Sequence, residues 1–135
     1  MVKLEKYWII LFLTILFVAC DNNNEPQVYT SYEGSWKCDE TGSVNGYNKP
    51  YMVNIDKNKS GTTQYIIRNF FDTGDNYMIV VRVNGTTLEL LQQPTSGQIL
   101  RSFSGTCIPY SRMKLNFTIY DGERDVFFES IYSRK

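Results

Sequence analysis

The side chains of this sequence that can do chemistry are thiols, carboxylates and phenols; there is no histidine. That absence excludes Ser-His-Asp and Cys-His nucleophilic catalysis, and with them the usual zinc sites. The tightest acidic cluster is Asp121, Glu123 and Asp125. Its spacing lacks the central Gly and terminal Glu of an EF-hand loop, and a solvated hairpin tip accounts for it. No phosphate loop, dinucleotide fingerprint or other Gly-rich cradle is present. The sequence therefore assigns no catalytic residue, no metal ligand and no cofactor, and no enzymatic activity is expected.

What remains are three cysteines at 20, 38 and 107, and the segment ahead of the first defines its role. Lys3 and Lys6 precede an apolar run from Tyr7 to Ala19 that ends at Cys20, the pattern of a signal peptide. A run of this length falls short of the roughly 20 residues a membrane-crossing helix needs, and the polar run Asp21-Asn22-Asn23-Asn24-Glu25 follows directly. Residues 1–19 are expected to be removed. Residues 20–31, with three consecutive Asn and Pro26, have little to bury and are expected to form a flexible tether to a domain over 32–135.

The domain's composition points to strands. Aromatic residues make up 15% of the chain, with ten Tyr and eight Phe, and these favour pleated surfaces. Lys plus Arg and Asp plus Glu are 14 each, so there is no basic footprint for nucleic acid, which is excluded as a partner. Ser35 to Glu40 is expected as the first strand, with Trp36 and Cys38 on one face. Tyr51 to Lys57 alternates with Tyr51, Val53 and Ile55 inward. Gln64 to Phe71 is strand-like, but Tyr65, Ile67 and Phe71 compete with Ile66 and Phe70 for the core face, so its register stays open. Tyr77 to Val83 places its odd positions inward, and Asn84-Gly85 is a strong hairpin signal into Thr86 to Leu91. Ile99 to Ile108 follows, with Gly105 marking a bulge or bend. Met113 to Ile119 alternates with Phe117 inward, Asp121-Gly122 closes a hairpin, and Val126 to Ser133 ends the chain. Eight strands with short connections predict an all-β, antiparallel, up-and-down barrel.

Two motifs carry resemblances. Val18-Ala19-Cys20 resembles the bacterial lipobox, with Phe17 where Leu is usual; this implies diacylglycerol on the Cys20 thiol, cleavage before it, and anchoring to a membrane through N-terminal acyl chains. An ordinary secretory signal that happens to contain a Cys is the alternative. Gly34-Ser35-Trp36 at the first strand resembles the opening of the lipocalins, whose Trp plugs the closed barrel end and whose late basic residue packs across it; Arg134 is the implied counterpart. As a whole the chain resembles the small lipocalin-like lipoproteins of Gram-negative gut anaerobes. The implied location is the cell envelope, the outer membrane in preference to the inner, with the domain in the periplasm or on the surface.

The same resemblance implies a small apolar ligand, with Trp36, Tyr51 and Phe117 as candidate lining residues and Tyr47 in the loop over the open end. The competing expectation is a filled core, in a protein-interaction or inhibitor lipoprotein whose partner the sequence does not identify. Once Cys20 is acylated, Cys38 and Cys107 are the remaining thiols. In an exported domain their pairing is one expectation, worth roughly 4 kcal/mol in the chain-entropy model for a loop of about 70 residues. Two buried free thiols are the other, because strands one and six are not neighbours in a simple meander.

Overall fold

The computed structural model describes residues 26–44, 46–94 and 97–134. The expected signal peptide, the lipidation residue Cys20 and the first part of the tether lie outside the described residues. Eight strands follow in chain order: β1 Gly34–Gly42, β2 Asn48–Lys57, β3 Gln64–Arg68, β4 Met78–Asn84, β5 Thr87–Gln92, β6 Leu100–Ile108, β7 Arg112–Tyr120 and β8 Asp125–Arg134. Each pairs antiparallel with the next, and β8 returns to pair with β1, closing the barrel in sequential order. The predicted all-β up-and-down architecture is the one observed.

Alternation dictates what fills the interior. In β1, Trp36, Cys38 and Glu40 point inward and are 0% exposed, while Ser35 and Lys37 face solvent. In β7, Met113, Leu115, Phe117 and Ile119 are all buried, and in β8 so are Val126, Phe128, Ser130 and Tyr132. Period-2 patterning thus gives one continuous core lined by all eight strands.

Three local departures from the sequence expectations have physical causes. First, β1 and β2 run further than expected and leave only residues 43–47 between them, because Asp39, Glu40 and Thr41 pair with Pro50, Lys49 and Asn48. Second, β3 stops at Arg68, and Phe70–Asp72 forms a 3-10 turn. That break resolves the competing registers: Ile67 and Phe70 are both 0% exposed, the first by alternation and the second because the turn re-aims it. Third, Gly105 is neither bulged nor bent but closely packed, since a Cβ there would lie 2.7 Å from Leu88 Cβ and 3.0 Å from Leu115 Cδ2. The bulges fall elsewhere, at Leu91 on β5 and Arg101 on β6, the extra residues where the β4–β5 and β6–β7 registers shift.

One end of the barrel is sealed by the segment ahead of β1. Tyr32 is buried and stacks on Trp36, whose indole N–H donates to the Tyr32 carbonyl at 2.8 Å. Gly34 makes this crossing possible. Its φ of 117° is open to glycine, and a Cβ would come within 3.0 Å of the Arg134 guanidinium. The opposite end carries the 43–47 turn and the 70–72 turn.

Candidate functional site

At this opposite end, three adjacent strands direct polar side chains into the core. Glu40 from β1 is completely buried, and among the described residues no basic side chain pairs with it. Three hydroxyls serve its carboxyl instead: Ser130 of β8 donates to Oε2 at 2.5 Å, Tyr51 of β2 donates to Oε2 at 2.8 Å, and Tyr47 of the 43–47 turn donates to Oε1 at 3.1 Å. Burial raises the Glu40 pKa above the ordinary carboxyl value, and the three donors only partly offset that rise. Hydroxyl donors suit a negative charge, so the site offers a carboxylate hydrogen bonds while its burial disfavours the charge.

Below Glu40 lie Cys38 and Tyr132. Burial pushes the Cys38 thiol pKa up to about 12, so it stays protonated and is no nucleophile. The Tyr132 hydroxyl is 0% exposed and lies against the Cys38 thiol and the Tyr51 hydroxyl, yet makes no well-aligned hydrogen bond among the described residues. Leaving a buried hydroxyl unpaired costs about 1–3 kcal/mol. An orphan of this kind beside an unpaired acid marks a place where polar capacity exceeds what the chain itself satisfies.

Aromatic rings cover this polar patch. Tyr47 stacks on Phe71 at 6.0 Å and meets Phe128 edge-on at 5.0 Å; Phe117 lies 5.4 Å from Phe128 and 4.9 Å from Phe70. Tyr47 and Phe71 are half-buried. The Phe71 segment is held in an unusual conformation: Asn69, Phe71 and Asp72 have φ of 59°, 58° and 52°. For a bulky residue such as Phe this is a genuine outlier, and strain of this sort persists only where surroundings enforce it. Asn69 enforces it by donating to Met52 O at 2.7 Å and accepting from Gly74 N at 2.7 Å, while Asp72 pairs with Lys49 of β2.

The residues expected to line a ligand pocket are dispersed along the barrel. Trp36 plugs the sealed end, Tyr51 binds Glu40, and Phe117 belongs to the aromatic layer at the mouth. Tyr47 does lie over the mouth. Cys38 and Cys107 are separate free thiols, both buried. They sit on β1 and β6, and Cys107 Sγ is engaged at the sealed end by the Tyr32 hydroxyl at 3.4 Å. Asp121 caps the β7–β8 hairpin by accepting the amides of Glu123 and Arg124 at 2.9 Å each, which lowers its pKa. Among the described residues no group of three or more His, Cys, Asp and Glu converges as metal ligands would.

Sequence reasoning missed Glu40, although its position two residues after Cys38 on an inward-facing strand was the available signal. Ser130 and Tyr132 follow the same rule on β8. No family model matches this sequence, and no curated protein matches it.

Proposed function

We propose that this chain is a membrane-anchored lipoprotein whose barrel binds one small molecule at its mouth, the polar end of the molecule at Glu40 and its apolar body among the aromatic rings. The observation that carries this reading is the buried Glu40 carboxyl and orphan Tyr132 hydroxyl beneath two half-buried rings. Convergent polar groups in an aromatic setting are the usual makings of a small-molecule site. Anchoring rests on Phe17-Val18-Ala19-Cys20 and would hold the domain at the cell envelope, the outer membrane in preference to the inner. A lipocalin-like relationship is supported by Gly34-Ser35-Trp36 together with Arg134, whose guanidinium lies across the Trp36 ring at 4.2 Å. Native mass spectrometry of residues 21–135, purified without lipid, tests the reading. A ligand-sized mass excess lost on denaturation is expected, and its absence from protein prepared in the native host would overturn it.

A second reading, a filled barrel that serves a protein partner, has its own support in the barrel wall. The β5–β6 ladder consists of Thr87–Thr106 and Leu88–Gly105 and then ends. An open cleft of about 640 Å³ runs along both strands, from these ladder residues past Leu90, Phe103 and Ser104. The Gln93 side-chain amide spans the gap, bonding Leu100 N and O at 2.9 Å each. Strand edges left open in this way are where extended segments add.

A further inference from the structure

Tyr47 occupies the mouth in the way a ligand would. Its ring stacks on Phe71 and meets Phe128 edge-on, and its hydroxyl ends on Glu40 Oε1. It belongs to a short turn closed by Tyr47 N on Val44 O at 3.2 Å and Gly42 N on Tyr47 O at 3.2 Å. Outward rotation of this side chain would vacate a space shaped for an aryl ring with a hydrogen-bond donor at its end, walled by Phe71, Phe117 and Phe128.

The chemistry of the vacated space selects the donor. Glu40 would keep Ser130 and Tyr51 on Oε2, lose its neutral donor on Oε1, and have no cation of its own. A buried carboxylate without a counter-charge is costly, and an ammonium group supplies both the charge and the hydrogen bond. Behind the carboxyl, the poorly satisfied Tyr132 hydroxyl beside Cys38 and Tyr51 leaves further polar capacity in the same layer. A neutral alcohol would merely repeat what Tyr47 already provides.

Resting on the small-molecule reading above, we infer that the barrel mouth is a latent site for a small aryl or arylalkyl ammonium ion, which displaces the Tyr47 side chain and pairs its charged nitrogen with Glu40. No covalent bond changes. When Glu40 starts protonated, binding releases that one proton to solvent and leaves an ammonium carboxylate pair. Affinity therefore rises with pH until Glu40 is ionised in the free protein. The other titratable groups facing it are Cys38, Tyr47, Tyr51, Tyr132 and the Lys49-paired Asp72. Burial raises the pKa of Cys38 and of the three tyrosines, keeping them neutral across that range.

Benzylammonium and benzyl alcohol make a suitable probe pair, because each has as many heavy atoms as a tyrosine side chain and they differ only in the head group, a charged triple donor against a neutral hydroxyl. Among the described residues all the strand ladders lie within 34–134, so residues 21–135 contain the closed barrel. Titration of that chain, followed by amide NMR shifts at Tyr47, Phe71 and Phe128, should show benzylammonium binding roughly tenfold or more tighter than the alcohol, the advantage of a charged hydrogen bond. Glu40→Gln should abolish the preference. Tyr47→Ala, which removes the internal occupant and its hydrogen bond to Oε1 but keeps the Glu40 carboxyl, should strengthen benzylammonium binding and guards against a Gln variant that fails to fold. Equal binding of the two probes overturns the ammonium assignment and leaves the small-molecule reading standing. Binding of neither, to wild type or to Tyr47→Ala, overturns the assignment, and the mass-spectrometric result then decides the broader reading separately.

Discussion

The guanidinium of Arg134 lies 4.2 Å from the centre of the Trp36 ring, joining the last residue of β8 to the third residue of β1 at the sealed end. It also covers the Tyr29 ring at 4.6 Å and donates to the carbonyls of Glu33 at 2.8 Å, Tyr110 at 3.3 Å and Ser31. One planar fork thus ties the segment ahead of β1 and the β6–β7 connection to the closing strand. Arg134→Ala should cost about 2–3 kcal/mol, the range of a charged hydrogen-bond set with a cation–π contact. Arg134→Lys should recover less than half, because a point charge cannot address three carbonyls and a ring together. Urea unfolding followed by Trp36 fluorescence measures both, and an unchanged midpoint for Arg134→Ala would remove the tie from the argument.

The buried carboxyl makes stability depend on pH with a definite sign. Burial raises the Glu40 pKa in the folded state, so the folded chain holds that proton where the unfolded chain has lost it. The stabilisation from Glu40 is fully present below the unfolded value of about 4.3 and is lost as pH rises through the higher folded value. The melting temperature of wild type should therefore fall relative to Glu40→Gln as pH is raised through that window, then run parallel to it. Comparison with the variant removes the opposite trend contributed by Asp121, whose pKa is lowered in the folded chain. Curves that stay parallel throughout would place Glu40 as an ordinary carboxylate.

The two domain thiols should count as two. Cys38 is 0% exposed and Cys107 is 7% exposed, on strands that do not pair. A disulfide reagent should react slowly with the folded domain and promptly with two thiols after unfolding, and reductant should leave the unfolding midpoint unchanged. An intact mass short by two hydrogens would contradict this.

How far the sequence discloses this molecule depends on whether a feature is periodic. The strands and the barrel follow from period-2 alternation and hairpin residues, whereas the partnership of Arg134 with Trp36 was only what the resemblance of Gly34-Ser35-Trp36 to the lipocalin opening implied. Phe70 was ambiguous because its burial comes from a 3-10 turn with left-handed φ at its neighbours, and alternation says nothing about residues that leave a strand. Glu40 was concealed by its type: a carboxylate at the end of a strand reads as solvent-facing until β1 is seen to continue to Gly42. The bulges at Leu91 and Arg101 leave no local mark, because neither is a glycine; they reflect how two neighbouring ladders close around a barrel.

Gly105 shows the same limit from the other side, since its reason is packing against residues remote in sequence. It pairs with Leu88 at the end of the β5–β6 ladder, and a Cβ at 105 would meet Leu88 Cβ at 2.7 Å, closer than side chains tolerate. Leu88 cannot rotate this contact away, because its Cβ is fixed to the backbone of β5. Gly105→Ala must therefore push β5 and β6 apart at their last shared pair, at a cost of about 1–3 kcal/mol for overpacking. The loss should appear first as faster amide exchange at Leu88 and Gln93, where the ladder and the side-chain bridge to Leu100 hold the wall together. Leu88→Ala tests the cause: it retains Cβ while removing Leu88 Cδ1, the softer contact at 3.0 Å, so combining it with Gly105→Ala should recover only part of the loss. Full recovery would mean that the flexible end of Leu88, and not the approach of the two backbones, sets the requirement for glycine.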